Sequence, residues 1–145
     1  MIHVPLKKLN DRAATPRYGT AEAAGVDLQA ESGFTLAPGE TKLVKTSIAI
    51  AIPNGYVGLL CSRSGLAVKR SVFVLNSPGI IDADYRGELG VVLHNAGDQH
   101  QSFDAGDRIA QLVLVPYAKA AFATVNELPA TQRGEGGFGS TGVAA

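Results

Sequence analysis

The turn signals of this chain recur at short intervals, and that spacing constrains the fold more than any other feature. Pro38-Gly39, Pro53-Asn54-Gly55, Pro78-Gly79, Asn95-Ala96-Gly97-Asp98 and Asp104-Ala105-Gly106-Asp107 all carry residues suited to tight turns. Between them the sequence alternates. From 41 to 53, Val44, Thr46, Ile48, Ile50 and Ile52 fall on one side, the period of a half-buried strand. Further strands are expected over 1–12, 24–28, 56–60, 72–75, 88–93, 101–103, 108–115 and 121–128. In the 24–28 strand, alternation turns Asp27 away from its apolar neighbours. Residues 15–25 read as loop. The one expected helix is short, 66–70, with Ser64 as its cap. Turns roughly every eight to twelve residues predict an all-β sandwich or barrel.

A chain of 145 residues suits one domain with a single sizeable core. Hydrophobic residues make up 46% and charged residues 18%, which argues against disorder. Basic and acidic residues balance at 13 each, so a domain-wide electrostatic footprint for nucleic acid is absent. A local basic pocket for phosphates remains open. The lone Cys61 excludes an internal disulfide and suits a reducing compartment. The N-terminal residues lack a signal-peptide core, and the apolar run 48–52 is far too short for a membrane span. A cytoplasmic protein without a membrane partner is expected.

Two stretches stand out chemically. In 79–89, Asp82 lies three residues before Tyr85, framed by Gly79 and Gly87. Glycine admits close backbone approach, and a carboxylate beside it can take a proton from water. The same residues would also serve a plain hairpin with solvent-facing acids. The segment 133–142 holds five glycines among ten residues, with Arg133, Phe138, Ser140 and Thr141 between them. Such a composition buries too little to order itself. It divides the chain into a body, 1–130, and a flexible arm, 131–145. A frayed end is the plain reading of that arm. Yet N–H groups, hydroxyls and a guanidinium are what a phosphate-binding loop needs.

Taken together, five stretches resemble, in order, the five motifs of the trimeric deoxyuridine triphosphatases. They are Ala24-Gly25-Val26-Asp27-Leu28, Arg63-Ser64-Gly65, residues 79–89, Gly106-Asp107-Arg108-Ile109-Ala110-Gln111-Leu112, and residues 133–142. The family commonly places proline before the second motif, where this chain has Ser62. The resemblance implies a jelly-roll-like β-barrel, a homotrimer whose active sites draw on all three subunits, and hydrolysis of dUTP to dUMP and pyrophosphate with Mg2+. Such an activity keeps uracil out of DNA and supplies dUMP.

It also implies roles for particular residues. Asp82 resembles the base that activates water, and Gln111 a residue bonding phosphate or that water. Arg63, Ser64 and Gly65 resemble a phosphate grip. Asn76 and the backbone of Gly79 and Ile81 resemble a uracil reader. Tyr85 looks like the ring under the deoxyribose that leaves no room for a 2′-hydroxyl. Phe138 resembles an aromatic that stacks on uracil, with Gly139 beside it, and Arg133, Ser140 and Thr141 resemble γ-phosphate contacts. Asp27 resembles the acid that meets magnesium through bound water, so no protein cage is expected. His3, His94 and His100 lack ligand spacing. A cation shared by Asp82 and Asp84 ranks below these roles. Each residue also has a plainer role, as turn former, cap, surface charge or edge-strand ring. Two other readings compete: deamination of dCTP, which needs a glutamate on the strand 89–93 that this chain lacks, and a sensor that binds dUTP without turnover.

Overall fold

The computed structural model describes residues 2–138. Its strands, in chain order, are β1 (Leu6–Lys8), β2 (Arg17–Tyr18), β3 (Val26–Gln29), β4 (Phe34–Leu36), β5 (Thr41–Lys45), β6 (Ile48–Ile50), β7 (Tyr56–Cys61), β8 (Val72–Val74), β9 (Gly79–Ile81), β10 (Gly90–Asn95), β11 (Gln101–Phe103) and β12 (Arg108–Pro116). The helix α1 (Ser64–Arg70) lies between β7 and β8. The chain is therefore mostly β with one short helix, as the turn spacing predicts.

The ladders form four separate sheets among the described residues, with orders β1-β6, β5-β10-β8, β11-β4 and β2-β3-β12-β7-β9. Hydrogen bonding does not close them into a barrel. Long β12 is the spine of the largest sheet. It pairs antiparallel with β3 on one side (Gln111 opposite Asp27) and with β7 on the other (Gln111 opposite Cys61). Strand β9 pairs with β7 and forms that sheet's edge.

Inward positions of all four sheets meet in one core. Leu28, Leu36, Ile48, Leu89, Val91, Leu93 and Ile109 are almost wholly buried there. Truncating a leucine at such a site to alanine costs about 2–5 kcal/mol. Asn95 is also fully buried, at the end of β10 rather than in a surface turn. Its Nδ2 reaches the carbonyls of Leu36, Ala37 and Gln99, and its Oδ1 accepts the Gly97 N–H. An amide with all its groups engaged is tolerated in a core.

Several expectations are corrected. The strand over 41–53 is two strands, because Ser47 takes a left-handed φ of 54°. That break lets β5 pair with β10 while β6 pairs with β1. The 1–12 strand shrinks to β1, and the 15–25 loop contains β2. Ser64 does not cap α1. The cap position is Arg63, with no side-chain cap bond, and Ser64 is the first helical residue. Residues 121–128 form no strand and lie exposed. Phe122 and Leu128 are 96% and 85% exposed. Apolar residues alone make no strand where the described residues supply no partner.

Candidate functional site

The polar residues singled out by sequence collect in two places. On the first, strand pairing does the gathering. Asp27 on β3 lies opposite Gln111 on β12, and Arg63 follows the end of β7 after one intervening residue. The Asp27 carboxylate accepts from Arg63 Nε at 3.0 Å and from Arg108 Nη1 at 3.2 Å. The Asp27 side chain is 17% exposed, so both pairs are partly shielded from water. Arg63 Nη1 donates to the Arg108 carbonyl at 2.9 Å. The Gln111 Nε2 donates to the Ser62 carbonyl at 2.9 Å. That fixes the amide orientation, because a carbonyl only accepts. The Gln111 Oε1 lies over Gly25, where a Cβ would stand only 2.4 Å from it. Glycine at 25 is therefore needed for the amide to lie there. A cavity of about 510 Å³ opens beside this group, lined by Lys8, Arg17, Tyr18, Asp27, Gln29 and Arg108 among others. Its size and its three basic side chains suit an anionic ligand. Ser64 and Gly65 are exposed at the start of α1.

The second place is the connection from β9 to β10. Asp82, Tyr85 and Ile81 line a cavity of about 260 Å³ with Leu43, Ile80, Glu88 and Gly90. The turn is held by short-range bonds. The Tyr85 N–H donates to the Asp82 carbonyl at 3.2 Å, and Arg86 Nη1 donates to the carbonyls of Ala83 and Tyr85 at 2.7 and 2.8 Å. The Tyr85 hydroxyl donates to the Glu88 carbonyl at 2.9 Å. This folds the ring over Gly87, where a Cβ would sit 2.3 Å from the hydroxyl oxygen. Only glycine admits that approach. Asp82 is exposed to solvent at the cavity edge. Asn76 is exposed in the turn before β9, and its amide nitrogen lies beside Gly79.

The two cavities share no lining residue. One chain thus brings Asp27, Arg63 and Gln111 together, and separately Asp82, Ile81 and Tyr85. Arg133 and Phe138 join neither set. The Arg133 Nε donates to the Gly136 carbonyl at 2.8 Å within the arm, and Phe138 is fully exposed. Gly139, Ser140 and Thr141 lie outside the described residues.

Sequence reading passed over Arg108, the hub role of Ser62, and the exposed apolar pair Leu43 and Ile80 at the second cavity. A cation directly after the Gly106-Asp107 turn was the available signal for Arg108. Nothing in the sequence marks Leu43, which comes from a strand far along the chain. Glu40 is held below the usual carboxylate range by the Ala37 N–H and Lys42, at a turn that lines neither cavity. No three His, Cys, Asp or Glu side chains converge among the described residues. Asp27 already accepts from two guanidinium groups but keeps lone pairs for a water. That donor set fits a hydrated cation carried by another ligand's oxygens, and does not fit a protein cage.

Comparison with known proteins gives the family. The dUTPase family model matches residues 11–142. The deoxyuridine 5'-triphosphate nucleotidohydrolase of Anaeromyxobacter sp. (strain Fw109-5) is 55% identical over 127 residues, covering 88% of this chain and 86% of that protein. The enzyme of the same name from Syntrophotalea carbinolica is 48% identical over 97% of each chain. Among solved structures, a Staphylococcus bacteriophage 80alpha dUTPase G164S mutant with dUpNHpp superposes with a TM-score of 0.91 at 32% identity, covering 97% of this chain and 99% of that one. A D95N mutant dUTPase from phage phi11 of S. aureus, described with a structural Mg(II) ion, gives 0.82 at 28% identity, with 88% and 99% covered. With its family model matched over most of its length, this chain belongs to the dUTPase family.

Proposed function

We propose that this protein is an enzyme that hydrolyses dUTP to dUMP and pyrophosphate, and that its two separate cavities are complementary parts of one active site. The observation that carries the reading is the dUTPase family match over residues 11–142, with Asp82 and Tyr85 on one cavity. A family match of this extent makes deamination of dCTP and a sensor without turnover the weaker readings.

The chemistry is in-line attack of water on the α-phosphorus, with pyrophosphate leaving. Asp82 takes the proton of the attacking water, and Gln111 holds that water or an adjacent phosphate oxygen. Arg63, Ser64 and Gly65 grip the phosphates through a guanidinium, a hydroxyl and an open N–H. Asn76 and the backbone of Gly79 and Ile81 pair with the uracil edge. Support for the backbone part is that β9 is an edge strand, with one row of polar groups outside its ladder. Tyr85 packs under the deoxyribose and excludes a 2′-hydroxyl. The arm, 131–145, closes over the body, 1–130. It brings Phe138 onto the base, and Arg133, Gly139, Ser140 and Thr141 to the distal phosphates. Positioning and electrostatic stabilisation supply most of the acceleration in such transfers.

Asp27 would hold a magnesium ion through a bound water, and the ion would supply charge neutralisation to the bound phosphates. The assembly is a homotrimer of jelly-roll-like barrels. The division of the polar residues between two cavities supports that reading, as do the exposed Phe122, Val125 and Leu128, which no surface among the described residues covers. No helix among the described residues is long and apolar enough to cross a membrane. The proposed site of action is the cytoplasm, with no nucleic-acid or membrane partner, and the role is to keep uracil out of DNA while supplying dUMP.

Pyrophosphate release from purified protein, tested across the common nucleoside triphosphates, decides the activity. dUTP should be turned over far faster than dCTP, dTTP or UTP, and binding without turnover would establish the sensor. In ¹⁸O water the label should enter dUMP. Label in pyrophosphate would place the attack at the β-phosphorus and remove Asp82 from its role.

A further inference from the structure

Ser62 uses every polar group it has. It stands between the end of β7 and Arg63, half-buried. Its N–H donates to Ser77 Oγ at 3.3 Å. Its own Oγ accepts the Val74 N–H at 2.9 Å. Its carbonyl accepts from Gln111 Nε2 at 2.9 Å.

These partners belong to different sheets. Val74 is on β8, at the edge of the β5-β10-β8 sheet, while Gln111 is on the spine of the five-stranded sheet. Ser77 is in the turn that carries the chain from β8 to β9, which is to say from one sheet to the other. Asn76 lies inside that turn, between the two points that Ser62 holds. We infer that Ser62 is a positioning residue for base selection: by gripping Val74 and Ser77 it fixes the turn that carries Asn76. This rests on the reading of Asn76 as a base reader given above.

The physical reason is leverage. Asn76 itself is exposed, and no side chain or backbone group among the described residues hydrogen-bonds its side-chain amide. An amide that tells uracil from cytosine must present its donor and acceptor at a fixed place, because the two bases differ by exchanged donors and acceptors on one edge. A turn fixed at both ends gives that place at little entropic cost on binding. The same residue precedes Arg63, whose guanidinium is tied to Asp27.

The test uses full-length protein and compares kcat/KM for dUTP and dCTP in the wild type, Ser62→Ala, Ser77→Ala and Asn76→Ala. Loss of one such bond should weaken the fixed geometry by roughly 3- to 10-fold. Ser62→Ala should raise the KM for dUTP and lower the dUTP-over-dCTP ratio by that factor, with kcat nearly unchanged. Ser62→Thr, which keeps the hydroxyl, should restore both. Ser77→Ala should act in the same direction and more weakly, and it carries the test if Ser62→Ala does not fold. A lower Tm for Ser62→Ala with an unchanged ratio and KM overturns the inference and leaves Ser62 a structural residue. Asn76→Ala separates the two layers. If it leaves the ratio intact, the base-reading role fails. If it abolishes the ratio while both serine variants keep it, the role stands and the positioning by Ser62 falls.

Discussion

The two cavities are built in opposite ways. The Asp27 side is assembled from residues distant in sequence, with Asp27, Arg63, Arg108 and Gln111 brought together by the β3-β12-β7 ladders. The Asp82 side is largely a local turn, in which Tyr85, Arg86 and Glu88 bond groups one to three residues away. Long-range ion pairs share their load over several strands, so loss of one charge leaves the rest in place. A local turn folds as one unit and depends on a single bare position, Gly87. Damage to the first side should therefore be graded, and damage to the second should be abrupt.

The largest effect belongs to the turn. Asp82→Asn should lower kcat by about 10²–10⁴ while binding of a non-hydrolysable dUTP analogue stays close to wild type. Single-turnover kinetics with calorimetry measures both, and near-normal turnover would take Asp82 out of the chemistry.

Truncation after Gln132 comes next. The described residues of the arm from Arg133 to Phe138 make only local bonds, so Tm and oligomeric state should not move. Turnover should fall by about 10² or more, because the arm's contacts count most when the phosphates are held in line. A truncated protein as fast as the full chain would make the arm a plain terminus.

Paired glycine variants sharpen the comparison directly. Gly87→Ala forces the Tyr85 ring aside, so the dUTP-over-UTP ratio of kcat/KM should fall by about tenfold or more, as it should in Tyr85→Ala. Gly25→Ala pushes on Gln111 instead, and should lower kcat by a similar factor with that ratio intact. If both variants change the ratio alike, the two cavities are not separate in function.

Arg108→Ala should be the mildest. Its side chain is 54% exposed, and Asp27 keeps Arg63. A rise of a few-fold in KM, smaller at high salt, is expected from one screened charge. A loss as large as that of Asp82→Asn would mean that the charged side is not graded after all.

Much of this molecule was legible in its sequence because short-range physics controls it. Turn residues and period-two alternation mark β5, β7, β10, β11 and β12, since a strand with one buried face writes its pattern into the chain. The 82–88 turn was legible for the same reason: Asp82, Tyr85 and Gly87 are neighbours in sequence as in space. The failures share one cause. Residues 121–128 read as a last strand, yet among the described residues no partner strand reaches them. Ser64 has a capping side chain, but Arg63 takes the cap position. Asn95 reads as a turn residue, but the carbonyls of Leu36, Ala37 and Gln99 converge on it in the core.

By itself, then, the sequence determined the fold class, the family motifs and the local turn that carries Asp82 and Tyr85, because each is encoded within about ten consecutive residues. Only the tertiary structure decided that Arg108 joins Arg63 on Asp27, that Gln111 lies over Gly25 against Ser62, and that Leu43 lines the cavity of Asp82. Those contacts depend on which strands pair and in what register. Ladder partners are chosen by burial over the whole chain, and no local window contains that choice.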